Sequence, residues 1–110
     1  MSYSDNLINL EPELENEIVE RLKQVSPLQI FLFGSQAEGT ATADSDIDLL
    51  VIKESIVSHI RESIEARKLL RGLELAFGLI VSTPEEFEFY RHQVNSVHHA
   101  AALYGRRLYG

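Results

Sequence analysis

Two periodicities alternate along this chain. Over residues 11–24 the apolar positions Leu14, Ile18 and Leu22 recur every four residues, which predicts a helix with Pro12 in its first turn and a stop at Ser26-Pro27. Residues 28–33 form a short apolar run suited to a strand, and residues 47–53 form a second. Between them, Ser35-Gln36-Ala37-Glu38 can open a short helix, and residues 38–45 read as a loop of small residues. Ile56, Ile60, Ile64 and Leu69 predict the buried stripe of another helix, ended by Gly72. A third strand is expected over residues 73–82. Thr83-Pro84-Glu85-Glu86 then supplies an N-cap, a proline at the first helical position and a capping-box glutamate, starting a last helix that runs to about Tyr104.

Strands separated by long connections imply an α/β (α+β) fold, with helices packed on one face of a small mixed sheet and the other face open to a ligand. A length of 110 residues suits a single domain over residues 1–110. One-sided coverage would also leave a partner surface, and a homo-oligomer is one occupant of it. The apolar fraction of 45% is ordinary. No run of 18 apolar residues occurs and Met1-Ser2-Tyr3-Ser4-Asp5 lacks the form of a secretion signal, so a cytoplasmic protein without a membrane span is expected. The absence of cysteine excludes disulfides and thiolate zinc sites.

A formal charge of −7 argues against broad nucleic-acid binding, which relies on a basic face to release counterions. Arg61, Arg67, Lys68 and Arg71, and further on Arg91, Arg106 and Arg107, read as solvated faces. His92, His98 and His99 lack the i, i+4 spacing of a helical zinc pair and read as structural.

Candidate chemistry gathers in two places. Asp46 and Asp48 sit at i and i+2 in an aliphatic run, so a strand would aim both at one face, roughly 6 to 7 Å apart. Two carboxylates on one face call for compensating charge, most simply Mg²⁺; the bland alternative is a pair that caps a surface turn. Ten residues upstream, Gly34-Ser35 follows the first strand. A glycine turn, a serine hydroxyl and the free N–H groups of a helix start make an anion site.

Gly34-Ser35, Gly39 and Ser45-Asp46-Ile47-Asp48-Leu49-Leu50-Val51 resemble the signature of the DNA polymerase β-type nucleotidyltransferase superfamily, in its minimal branch. Residues 81–87 are similar to the strand-to-helix junction of that branch and residues 105–109 to its C-terminal end. The resemblance implies that Asp46 and Asp48 act as catalytic metal ligands and that Gly34, Ser35 and Ser45 hold the nucleotide. It further implies AMP transfer from Mg-ATP to a hydroxyl, as in antitoxins that modify a tyrosine of a HEPN-type toxin. Two departures stand out. Where active members carry a third carboxylate this chain has Gly78, with Glu74 too far along the expected strand to replace it, and where many carry Arg it has Glu38. These departures favour an alternative, a non-catalytic module that neutralises its partner by forming a complex.

Overall fold

A computed structural model describes residues 11–41 and 45–110. Its helix α1 spans Pro12–Leu22 and buries Ile18 and Leu22; a 3-10 turn, Lys23–Val25, closes it. Strand β1 (Gln29–Phe33) leads through Gly34 into the single turn of α2 (Ser35–Glu38). There follow β2 (Ile47–Ile52), α3 (His59–Lys68) and β3 (Phe77–Ser82). The chain then forms α4 (Pro84–Tyr90), α5 (Val97–Tyr104) and a last strand β4 (Arg106–Tyr109). The sheet order is β3-β2-β1-β4, with β2 parallel to β3 and β1 antiparallel to both β2 and β4. The mixed α/β class expected from the sequence is the one observed.

Helices cover more of the sheet than expected. Ile47, Leu49 and Val51 of β2 pack beneath α1 and α3 with Ile18, Leu22, Ala66 and Leu70. Leu50 and Ile52 point the other way and pack with Phe87 of α4 and Ala101 of α5, and Phe31 stacks on Phe87 with ring centroids 5.3 Å apart. A strand buried on both sides has no polar face to alternate with, which is why Leu49-Leu50-Val51-Ile52 is a continuous apolar run. One-face covering therefore holds only at the end of β2 that carries Asp48.

Three local expectations change. Ala66 of α3 and Leu70 just beyond its end face the sheet, with Ile56 and Leu69 partly buried against the same core, whereas Ile60 is 76% and Ile64 40% exposed. At about 100° per residue, Ile64 lies about 160° around the helix from Ala66, so both cannot be core. The third strand starts at Phe77 because Gly72 (φ 93°) and Glu74 (φ 57°) adopt left-handed conformations that end extended pairing before it begins. Glu74 is thus outside the strand, and its expected place on the strand face falls. The single last helix divides in two: the Ser96 hydroxyl accepts from the His99 amide at 3.0 Å and donates to the Tyr90 carbonyl at 2.6 Å, capping α5 and closing the intervening turn.

Candidate functional site

Directly paired residues on neighbouring strands share a face, so the register arranges the second face of the sheet in rows. Phe33, Asp48 and Gly78 make the first, Phe31, Leu50 and Ile80 the second, and Gln29, Ile52 and Ser82 the third. Phe31, Leu50 and Ile52 of the second and third rows pack with α4 and α5, as does Phe33 of the first, while Ile80 on the edge strand stays 37% exposed. Asp48 is left half-buried at the uncovered edge, and Asp46 is exposed just before β2. Because β1 and β2 are antiparallel, the Gly34 turn closes over the same end of the sheet. The structure thereby brings together Gly34, Ser35, Asp46 and Asp48, with Ser45 adjoining in sequence and half-buried.

The turn is built for close approach. Gly34 has φ 74° and ψ −156°, a region closed to residues with a side chain, and its carbonyl accepts from the Ala37 and Glu38 amides at 3.1 Å each. A Cβ at Gly34 would collide with Asp48 Oδ2. On the other flank a Cβ at Gly78 would come within 2.7 Å of Asp48 Oδ1. Two glycines therefore hold the Asp48 carboxylate between them, and Gly78 occupies the expected place of the third acid. The one-turn α2 has little dipole, so an anion held here would depend on the glycine turn and the Ser35 hydroxyl more than on a helix terminus.

Burial, and secondarily the negative charge of Asp46, push the Asp48 carboxyl above the usual range. No three His, Cys, Asp or Glu side chains gather as a metal site among the described residues. The pair still fits Mg²⁺, which is commonly held by one or two carboxylates with substrate phosphates and water filling its octahedron. Gln36, which the sequence marks only as a helix former, belongs to the same corner. It is buried beside the turn at 8% exposure, and its Oε1 has no hydrogen-bond partner among the described residues. Its only sequence signal was its place immediately after Gly34-Ser35.

The histidines bond to protein groups elsewhere. His98 Nε2 lies 2.9 Å from Ser82 Oγ, His99 Nδ1 lies 2.8 Å from the Arg91 carbonyl, and His92 lies 3.4 Å from Glu88.

Residues 13–103 match the nucleotidyltransferase domain family, and the chain belongs to it. Over 65 residues it is 38% identical to a Methanocaldococcus jannaschii protein proposed to be a protein adenylyltransferase. That match takes in 56% of this chain and 42% of the relative, so less than half of the relative's length is spanned. The fold is similar to a crystal structure of a toxin–antitoxin with AMP-PNP, at TM-score 0.66 and 26% identity over 87% of this chain and 73% of that one. A crystal structure of a mutant MntA–HpeT toxin–antitoxin is similar in fold alone, at TM-score 0.63 and 23% identity over the same shares. A proposed nucleotidyltransferase from Sulfolobus solfataricus gives TM-score 0.54 and 26% identity over 70% of each chain. No helix among the described residues is long and apolar enough to cross a membrane.

Proposed function

We propose that this protein is an antitoxin-type nucleotidyltransferase that moves AMP from ATP to a hydroxyl, on a tyrosine of a HEPN-type toxin partner. The observation that carries the reading is the first row of the sheet, where Asp48 is clasped by Gly34 and Gly78 beside the Ser35 turn and exposed Asp46. Likeness to a toxin–antitoxin with AMP-PNP adds support for both nucleotide and partner. Asp46 and Asp48 would hold Mg²⁺, which supplies charge neutralisation at the phosphates. Ser35 and the Gly34 turn grip the outer phosphates, so that the α-phosphorus faces the acceptor in line. A bond from the acceptor oxygen to phosphorus forms as the bond to pyrophosphate breaks, and the hydroxyl proton leaves to water or a carboxylate. The open edge beyond row one admits an acceptor presented by another chain, which suits a single domain acting in the cytoplasm with a partner.

Gly78 favours a second reading, an inactive module that binds and occludes the same partner. Incubation with α-labelled ATP, Mg²⁺ and a cell extract separates the two. Label that moves onto another protein with wild type and not with Asp46→Ala supports the transferase. Label transfer only after Gly78→Asp supports the module.

A further inference from the structure

A groove of about 240 Å³ opens where the end of α3 meets the start of β3. Arg67, Lys68 and Arg71 ring it, and Leu70, Leu75 and Phe77 make its apolar floor. This is an unexpected concentration of positive charge on a chain of net charge −7. Carboxylates pair with Arg21, Lys23, Lys53, Arg91 and Arg106, yet among the described residues none lies within ion-pair distance of the three groove cations. The dipole of α3 accounts for Arg67 and Lys68 in its last turn, but not for Arg71, nor for Leu75 left 43% exposed between them. The wall is held in place, since the Arg21 guanidinium donates to the Leu69 and Arg71 carbonyls at 3.2 and 2.7 Å.

The groove lies at the same end of the sheet as the carboxylates but on the face of Ile47 and Phe77, so a bound segment would turn around the β3 edge to bring its hydroxyl to Asp48 on the other face. Phe77 pairs with Ile47, the residue after Asp46, and the Ile47 amide donates to the Ala76 carbonyl at 2.9 Å.

We infer that this groove docks an acidic segment of the acceptor protein that carries an apolar side chain, tethering it while its hydroxyl reaches the neighbouring carboxylates. The inference rests on the transferase reading for the word acceptor; the docking chemistry stands apart from it. Three cations without a carboxylate partner among the described residues select a segment of opposite charge, and the apolar floor selects a protein over a nucleic acid, whose phosphodiester backbone has no apolar side chain to cover Leu75 and Phe77.

The test is fluorescence anisotropy with a labelled peptide, Glu-Glu-Leu-Glu-Glu-Phe-Glu-Glu, and in parallel with a labelled oligouridine. Calorimetric titration of Mg-ATP is run on the same samples. The expected result is peptide binding that weakens at least about tenfold in Arg67→Gln/Lys68→Gln/Arg71→Gln, and likewise in Leu75→Ser, and that falls with added salt as exposed charges are screened. Nucleotide affinity and thermal midpoint stay at their wild-type values in the neutral variants. Absent peptide binding, binding unmoved by the triple substitution, or tighter binding of oligouridine would each overturn the inference. Loss of Mg-ATP binding with the peptide result intact would instead count against the transferase reading.

Discussion

The two ends of the sheet's second face solve opposite problems. At the far end, Ser82, Glu86, His98 and His59 form one closed network. Glu86 accepts from the Thr83 amide at 2.8 Å and from Ser82 Oγ at 3.3 Å, sits 2.8 Å from His59 Nε2, and completes a capping box with Thr83. With Glu86 ionised and accepting from Ser82, the 2.9 Å contact has His98 Nε2–H donating to Ser82 Oγ. Burial lowers the affinity of His98 for a second proton, which suits that neutral form. Four elements are tied together there. At the near end two carboxylates share one edge, glycines replace side chains, and the half-buried Asp48 has no counter-charge among the described residues. The contrast teaches that stability is concentrated away from the candidate site, so the two can be damaged separately.

The largest separation comes from Asp48→Ala, which should cut label transfer by about 10³-fold or more, some 4 kcal/mol of transition-state stabilisation, while leaving the urea midpoint no lower than wild type. Phe87→Ala should do the reverse. Losing the ring stacked on Phe31 should cost about 3 to 4 kcal/mol in urea unfolding, with nucleotide affinity of the folded fraction retained. Gly34→Ala should damage both, since it strains the backbone and drives Asp48 aside; about 1 to 3 kcal/mol of stability and most of the Mg-nucleotide affinity should go together. Glu86→Ala strands the Thr83 amide and Ser82 hydroxyl and should cost about 1 to 3 kcal/mol by thermal unfolding without weakening nucleotide binding.

The smallest effects are electrostatic. Asp48→Asn should raise the thermal midpoint by a few degrees in metal-free neutral buffer, because the charge removed is one that burial disfavours. Glu62 behaves oppositely. Its hydrogen bond from Lys53, with those from the Val57 and Ser58 amides, holds its carboxyl down at about 2. A depressed folded value means the contribution is present above the unfolded value near 4.5 and is lost as pH falls toward 2. Thermal midpoints measured across that window should drop less steeply in Glu62→Gln than in wild type.

Much of this contrast was written in local sequence. Gly34-Ser35 and Asp48 were legible because they are short-range devices, and Gly78 lies in register with Asp48, whereas Asp46 falls just before β2 and not on the strand face expected for it. The doubly buried nature of β2 was also present in Leu49–Ile52, where an uninterrupted apolar run contradicts one-face covering. What could not be read was set by tertiary packing. The phase of α3 is chosen by Ala66, a small residue that lets the helix approach the sheet, over the larger isoleucines. The break before α5 depends on one serine that could equally have sat inside a helix. β4 is only Arg106–Tyr109, too short to show a period, and exists because β1 offers it an edge.

In the proposed function the glycine turn and the two aspartates form one metal-nucleotide site. Titration calorimetry of AMP-PNP with Mn²⁺ tests it most directly, comparing wild type with Asp48→Asn. Saturable binding that needs the metal and weakens at least about tenfold in the variant is expected; metal-independent binding, or equal affinity in both proteins, would contradict a shared site.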